Sequence, residues 1–186
     1  MNPVRIIEPR RFGDERGWFT ETYNEATFAA LGIETRFVQD NHSRSLPAFT
    51  LRGLHFQVPP HAQDKLVRCI RGRIFDVQLD LRYGSPSYGH WQGIELSAEN
   101  GRQVFIPAGF AHAFLTLEPD CEVIYKCSAF YAPESDRGIR WDSAGIDWPL
   151  PAGTTPVLSD KDRALPALDA FESPFAYDGR PFLPSG

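Results

Sequence analysis

The sequence has no long apolar segment. None of its 186 residues lies in a run that approaches the roughly 18 consecutive apolar residues needed to span a bilayer. The first twenty residues alternate charge with apolarity and lack the apolar core of a signal peptide. We therefore expect a cytoplasmic protein with no membrane partner.

Cysteine is also scarce, with only Cys69, Cys121 and Cys127. Three cysteines cannot all pair within one chain, and none forms a Cys-x-x-Cys motif, so neither a disulfide framework nor a thiolate metal site is indicated. Packed or free thiols are the favoured interpretation.

The chain has no excess of positive charge. Its formal net charge is −5 and its pI about 5.5. A nucleic-acid partner is not expected, because binding a phosphate backbone requires a surplus of cations. A small anion held by a local cluster of Arg and Lys stays compatible with this balance, since a concave site can focus positive potential.

Helix signals are few. One short N-terminal helix is predicted over 24–32, with Asn24 as its N-cap and Gly32 just past its end. Short aromatic or β-branched segments separated by turn formers predict strands over 18–22, 36–38, 50–56, 66–70, 74–81, 91–96, 104–106, 111–117 and 122–125. This pattern favours an all-β antiparallel sandwich or barrel. From about residue 149 the sequence is rich in Pro, which predicts an irregular C-terminal tail on a single domain spanning 1–186.

Two turns carry hairpin signals. Asn100-Gly101 lies between two alternating segments and predicts a type I′ hairpin. Gly72 is expected in a tight turn between the strands at 66–70 and 74–81. Neither turn needs a functional explanation.

Two histidine-containing runs carry the chemistry. Leu51-Arg-Gly-Leu-His-Phe-Gln57 is followed about fifty residues later by Ile106-Pro-Ala-Gly-Phe-Ala-His112. Each His lies in or beside a predicted strand, and the cations Arg52 and Lys65 accompany these motifs in the sequence. We expect His55 and His112 to converge with these two cations in one β-rich pocket, which we interpret as the active site.

A His on an early strand and a Pro-x-Gly-x-x-x-His on a later one resemble the cupin superfamily, which implies a jelly-roll barrel. The metal-binding pattern of that superfamily is not complete here. His55-Phe-Gln57 stands in place of His-x-His, and Lys65, seven positions before Gly72, replaces the acidic ligand. Because an ammonium in the first shell of a divalent cation is repelled by it, we predict no metal. A 2-His-1-carboxylate oxygenase is correspondingly disfavoured.

A larger motif set narrows the resemblance to one family. The sequence is similar to the dTDP-4-dehydrorhamnose 3,5-epimerases over about residues 3–170. The matching motifs are Gly13-Asp-Glu-Arg-Gly17, Gln39-Asp-Asn41, the run at 51–57, Lys65-Leu-Val-Arg68, Phe75-Asp-Val-Gln-Leu-Asp-Leu-Arg82, Ser85-Pro86, 106–114, Tyr125-Lys126 and Ser159-Asp-Lys-Asp162. Their order and spacing make the combination far more specific than any single motif.

The resemblance implies a dTDP-linked 4-keto-6-deoxyhexose as substrate and inversion at C3 and C5 without a cofactor. One alternative is a single-position epimerase or a ketoisomerase on the same scaffold. Another is a sugar-nucleotide binding module without catalysis, or a residual metal cupin.

The resemblance also implies roles for four residues. His55 is the expected base, and Asp162 fixes its tautomer. Lys65 stands near the developing O4 oxyanion. Tyr125 matches the proton donor on the opposite sugar face, and Tyr131 is the alternative phenol, six residues away.

Binding residues follow from the same resemblance. Arg16 and Glu21 match contacts that reach the neighbouring subunit's site, which implies a homodimer. Phe19 and Trp141 are candidates for stacking on thymine or for ordinary packing. Further matches to substrate contacts are Gln39, Asp40, Asn41, Arg52, Lys65, His112, Tyr131, Asp136 and Lys161. Asp136 stands where the family commonly carries Glu.

Asp76 and Asp80, on one face of a predicted strand, are interpreted as counter-ions for Lys65 or as a solvated edge.

Overall fold

Two five-stranded sheets account for most of the regular structure. The computed structural model describes residues 3–182, and its strands are β1 (Arg5–Ile7), β2 (Arg11–Asp14), β3 (Gly17–Thr20), β4 (Gln39–Ser45), β5 (Leu51–Gln57), β6 (Lys65–Arg71), β7 (Arg73–Asp80), β8 (Trp91–Ser97), β9 (Gln103–Ile106), β10 (Phe110–Thr116), β11 (Cys121–Cys127) and β12 (Asp136–Gly138). The first sheet has the order β1-β9-β6-β11-β4, and the second has the order β12-β5-β10-β7-β8. Strands β2 and β3 form a separate hairpin. These named strands all pair antiparallel, which confirms the predicted antiparallel β class.

The main core lies between the two sheets. Val67 and Val104 of the first sheet pack in one cluster with Ile74 and Leu96 of the second, and all four are buried. Strands β6, β9 and β11 contribute alternate residues to this layer, because successive side chains point to opposite faces. The outward residues of the second sheet form another cluster, which is covered by the later part of the chain.

Two α-helices flank the sheets. The predicted N-terminal helix is present as α1 (Glu25–Ala30), and the Asn24 side chain accepts hydrogen bonds from two of its main-chain N–H groups, as expected of an N-cap. The prediction of only one helix is wrong, because a second, α2 (Asp160–Arg163), lies in the predicted tail and is capped by Ser159. Four residues are too few to show a helical periodicity in the sequence. Neither helix, nor any other within 3–182, is long and apolar enough to cross a bilayer.

One predicted strand is misplaced. Residues 36–38 have no regular structure, and the strand begins at Gln39 as β4. The sequence of β4 is polar throughout, so hydrophobic alternation gave no signal for it. The short strands β1, β2 and β12 were also not predicted.

The two predicted turns join the strands expected on either side of each, but the joined strands do not pair with each other. The Asn100-Gly101 turn connects β8 in the second sheet to β9 in the first, and Gly72 connects β6 to β7, again across the two sheets. The tight turn predicted at Gly72 is therefore confirmed. The hairpin predicted at Asn100-Gly101 is wrong, because β8 and β9 belong to different sheets. A turn signal marks where the chain reverses, but it does not specify the strand with which the next segment pairs.

The C-terminal residues run over both sheets. Val157 forms a parallel bridge with Thr50, and Ala176 forms another with Tyr83. Arg82 is bonded to Asp178 at 2.8 Å. This part of the chain brings α2 to the end of β5. Residues 183–186 of the predicted tail lie outside the described residues.

Candidate active site

A cavity of about 670 Å³ is lined by residues of both sheets and by residues 157–162. His55 on β5 and His112 on β10 line it from the second sheet. Lys65 on β6 and Tyr125 on β11 line it from the first sheet. Arg52 also lines it, so the structure brings together the two imidazoles and two cations expected from the sequence.

A bulge in β5 explains how Arg52 and His55 share one face. They are three positions apart, a spacing that places side chains on opposite faces of a regular strand. In the pairing with β10, His55 is opposite His112 and Arg52 is opposite Phe114, so three steps on β5 match two on β10. Gly53, inside the bulge, has φ of 125°, and a Cβ there would lie 2.5 Å from Cβ of Ala113.

His55, which is partly exposed, forms a pair with the buried Asp162 of α2. Its Nε2 donates to the Asp162 carboxylate at 2.6 Å. Burial raises the pKa of Asp162, but the hydrogen bond and charge of His55 outweigh it, so the pKa lies below its ordinary value. Within residues 3–182, Nδ1 of His55 has no protein hydrogen-bond partner, which leaves this nitrogen free to exchange a proton.

Lys65 is 9% exposed, and its side chain extends into the cavity. Its Nζ donates to the main-chain oxygen of His55 at 3.3 Å, so it reaches from the first sheet to the second. Burial lowers the pKa of Lys65, and the electrostatic effects of Cys127, Asp136 and Asp76 oppose this only in part. The ammonium is therefore a poorly solvated cation.

Tyr125 faces His55 from the opposite wall, because β11 belongs to the first sheet and β5 to the second. Burial raises the pKa of its phenol, so the phenol keeps its proton at neutral pH. Tyr131 is in a different environment. It is 58% exposed, and its hydroxyl donates to Asp136 at 3.3 Å. The geometry thus favours Tyr125 over Tyr131 as the phenol facing the base.

His112 has its own carboxylate partner. Its Nε2 donates to Asp76 at 2.8 Å, and the other oxygen of Asp76 accepts from Gln78 at 2.6 Å. Asp76 and Asp80 are both fully buried, so the interpretation as a solvated edge is wrong. Asp80 is bonded to Arg82 rather than to Lys65.

The cavity mouth carries the remaining polar residues. Arg52 donates to Ser45 and to the main-chain oxygen of Arg44, both at 3.0 Å. Lys161 pairs with Asp136, and this hydrogen bond raises the pKa of Lys161. Gln39 and Asn41 also line the mouth and are bonded to each other at 3.0 Å.

Five predicted binding residues do not line this cavity. Asp40 points to the other face of β4 and pairs with Lys126 at 3.0 Å, because alternate residues of a strand face opposite sides. The cavity lining does not include Trp141 either. The other three, Arg16, Phe19 and Glu21, belong to the exposed β2–β3 region, and two of them, Arg16 and Glu21, were expected to reach a neighbouring subunit.

Other lining residues were not singled out from the sequence. Gln57 had a detectable signal, because it lies two positions after His55 on the same strand and therefore faces the same side. Phe114 and Thr50 had the same signal, because they lie two positions from His112 and Arg52 within predicted strands. The rest lacked one: Ser43, Leu51, Phe56, Gln63, Val157, Leu158 and Ser159.

Comparisons with known proteins identify the family. The family model described as dTDP-4-dehydrorhamnose 3,5-epimerase matches residues 1–170. A relative of that name from Methanothermobacter thermautotrophicus is 56% identical over 160 residues, which are 85% of each chain. A crystal structure of dTDP-4-dehydrorhamnose 3,5-epimerase from Bacillus anthracis with TDP and pyrophosphate bound is 49% identical, with a TM-score of 0.86 over 89% of this chain and 94% of that one.

A more distant structure is a 3'-monoepimerase from Streptomyces bikiniensis in complex with dTDP-quinovose. It is 34% identical, with a TM-score of 0.83 over 91% of this chain and 88% of that one. The family resemblance seen in the sequence is confirmed. The chain belongs to the dTDP-4-dehydrorhamnose 3,5-epimerase family.

Proposed function

We propose that this chain inverts C3 and C5 of dTDP-4-dehydro-6-deoxy-D-glucose to give dTDP-4-dehydro-L-rhamnose. The observation that carries the proposal is the placement of His55 and Tyr125 on facing sheets, with the buried ammonium of Lys65 beside His55. A base and an acid on opposite walls suit the removal of a proton from one face of a sugar and its return to the other.

The substrate supplies part of the reactivity. Its C4 carbonyl acidifies the hydrogens on C3 and C5, so neither inversion needs a redox cofactor. The parent C–H still lies roughly a dozen pK units above imidazole, a gap on the order of 15 kcal/mol. Most of this gap has to be closed by stabilising the enolate at O4.

His55 removes the proton in this proposal. A neutral imidazole near pH 7 takes up a proton and gives it back with little bias. Asp162 accepts from Nε2, so in the neutral ring the proton lies on Nε2 and the lone pair on Nδ1. When Nδ1 becomes protonated, the negative charge of Asp162 offsets the imidazolium.

Lys65 stabilises the enolate. A fixed cation in a site with little water supplies several kcal/mol to a developing oxyanion, on the order of 3 kcal/mol per donor. The desolvation that lowers the pKa of Lys65 also strengthens its attraction for an anion.

Tyr125 donates its own phenolic proton to the carbanion from the opposite wall. Solvent then returns a proton to the phenolate and takes one from the protonated His55. Its raised pKa keeps the phenol protonated in the resting protein. The catalytic set is therefore His55, Asp162, Lys65 and Tyr125. All four line the same cavity.

The mouth binds the nucleotide part of the substrate. Arg52 and Lys161 suit a diphosphate, because guanidinium forks and ammonium donors pair well with phosphate oxygens. Gln39, Asn41, His112, Tyr131 and Asp136 complete the set that one chain supplies. Structures of relatives with TDP or a dTDP-sugar bound support a thymidine diphosphate ligand.

The alternative of a single-position epimerase is not favoured. Relatives above 50% identity are named 3,5-epimerases, whereas the 3'-monoepimerase is 34% identical. Proton NMR of the product separates the two activities. A product inverted at both carbons supports the proposal, and a product inverted at one carbon rejects it.

The wider architecture fits the same function. We propose a cupin-type jelly roll that forms a single domain over 1–186.

We also propose a homodimer in which Arg16, Phe19 and Glu21 of one protomer complete the site of its partner. Phe12 and Phe19 are opposite each other in the β2–β3 pairing and are both exposed, which supports such an interface. The three described cysteines are unpaired, in keeping with a cytoplasmic location.

A further inference from the structure

Three glutamine side chains hold the segment 129–132, which forms part of the cavity mouth. Gln57 accepts from the main-chain N–H of Ala132 at 2.8 Å and donates to the oxygen of Phe130 at 3.1 Å. Gln63 donates to the oxygen of Ala129 at 2.8 Å. Gln39 accepts from the N–H of Tyr131 at 2.9 Å. Side chains thus provide most of the hydrogen bonds of four consecutive residues.

The 129–132 segment has no strand partner that would replace these bonds. Within residues 3–182, its other main-chain hydrogen bond is the one that the oxygen of Ala132 accepts from Ser135. A glutamine amide carries one acceptor and two donors, so Gln57 bonds the segment much as an adjacent strand would. Gln57 is 4% exposed, and a further bond to the oxygen of His61 at 2.7 Å fixes its orientation.

The residues that depend on this support lie at the mouth of the cavity. Tyr131 belongs to the segment, and Asp136 follows it after one turn of 3-10 helix at Pro133–Ser135. Asp136 is also opposite Gln57 in the pairing of β12 with β5, and it holds Lys161. Gln57 therefore lies behind three residues that we propose to bind substrate, and it makes no hydrogen bond to the His55–Asp162 pair.

We infer that Gln57, assisted by Gln63, is a positioning residue that sets the affinity for the dTDP part of the substrate. This inference rests on the proposed function of the cavity. Both ends of the Gln57 amide are engaged by the protein, so its effect reaches the ligand through the 129–132 segment. Loosening that segment is expected to weaken nucleotide binding while leaving intact the hydrogen bond between His55 and Asp162, in which no residue of the segment takes part.

The test uses three substitutions of similar size in the full-length protein. Gln57→Met removes three bonds to the main chain, and Gln63→Met removes one. Gln103→Met is the matched control, because Gln103 is 2% exposed and donates to the main-chain oxygen of Thr22 at 2.8 Å, away from the segment. Calorimetry measures the Kd for dTDP, mass spectrometry measures amide exchange over 129–132, and kcat and KM are measured for the sugar nucleotide.

Gln57→Met is expected to raise the Kd for dTDP and the KM about tenfold, and to speed amide exchange in the segment, with kcat within about twofold of the unaltered protein. Gln63→Met should raise the Kd about threefold, because the segment loses one hydrogen bond. Gln103→Met should leave the Kd within about twofold, because the segment loses none. An unchanged Kd in Gln57→Met overturns the inference, as does a fall in kcat at unchanged KM. If Gln57→Met does not fold, an unchanged Kd in Gln63→Met overturns it equally.

The binding measurement also separates this inference from the proposed function. Binding of dTDP requires no turnover. An unaltered protein that binds dTDP but exchanges no sugar hydrogen rejects the epimerase proposal alone.

Discussion

Nε2 of His55 lies 2.6 Å from Oδ1 of Asp162, although the two residues are 107 positions apart in the sequence. The base and the group that orients it therefore come from different parts of the chain, β5 and α2. If they act as one unit, their substitutions should not have additive effects.

His55→Asn should slow proton exchange about 100- to 10,000-fold, because it removes the base. Asp162→Asn should slow it about 100-fold or more, since the amide no longer fixes the tautomer. The double variant should be no slower than His55→Asn alone. Deuterium uptake by the sugar measures these rates, and calorimetry with dTDP provides the control. Matched losses of rate and dTDP affinity would indicate damage to the fold rather than to the chemistry.

Lys65 should determine how activity changes at alkaline pH. A lysine is charged below its pKa, and burial lowers that pKa, so Lys65 loses its charge at a lower pH than an exposed lysine. The pKa of Tyr125 is raised, so the phenol stays protonated over the same range. We expect kcat to fall as pH rises through the pKa of Lys65.

In Lys65→Arg the cation stays charged, so the alkaline decline should disappear while the plateau drops about tenfold or more from altered geometry. A pH profile of kcat for the two proteins checks this expectation. An identical alkaline decline in Lys65→Arg would assign it to another group.

Lys65 should also reduce the stability of the fold. Its pKa is lower in the folded protein than in the unfolded chain, so the unfolded chain binds the proton more tightly. This penalty is fully present below the folded pKa, and stability rises as pH increases from there towards the unfolded value. Lys65→Met should therefore unfold at a higher urea concentration at pH 7, with turnover largely lost. A lower unfolding midpoint would show that the ammonium stabilises the fold.

Gly53 should not tolerate a side chain. Its φ of 125° is unfavourable for other residues, and a Cβ would lie 2.6 Å from the main-chain oxygen of His112. Gly53→Ala is expected to cost about 3 kcal/mol or more from overpacking and backbone strain together. Gly145→Ala is the control, since Gly145 has φ of 63° but no atom within 4 Å of the added Cβ, and it should cost about 1 kcal/mol. Urea unfolding measures both. Equal costs would mean that the close approach in the bulge does not matter.

Arg82 should be needed to keep Asp80 in the core. Asp80 is fully buried and accepts from Arg82, Ser85 and Ser87. Arg82→Met leaves that carboxylate without its cation and is expected to cost about 3–5 kcal/mol at neutral pH. Arg102→Met, which breaks an exposed pair with Glu8, should cost no more than about 1 kcal/mol. Denaturant unfolding compares them, and similar losses would contradict the account.

Much of the β fold was predictable, because most core strands carry apolar, β-branched or aromatic residues bounded by turns. Strand β4 could not be predicted from a pattern of apolar residues. Its inward residues Gln39, Asn41 and Ser43 line the cavity, so polar groups stand where a core strand would have apolar ones. The crossing of the chain at Asn100-Gly101 was missed for another reason, since a local turn signal carries no information on strand partners.

The predicted residues of the site met with different outcomes. His55, Lys65, Tyr125 and Asp162 line one cavity, and the motif order had indicated all four. Asp40 belongs to the same motif as Gln39 and Asn41 but faces away, because a motif does not state which of its residues point inward. Gln57 supports the 129–132 segment through hydrogen bonds to residues up to 75 positions away in the sequence. No spacing rule links residues so far apart, so the sequence did not predict this support.

Deuterium incorporation from D₂O into dTDP-4-keto-6-deoxyglucose tests the central claim most directly. We expect uptake at both C3 and C5 with the unaltered protein, and its loss in His55→Asn at unchanged dTDP affinity. Binding of the sugar nucleotide with no uptake above the uncatalysed background would contradict the account.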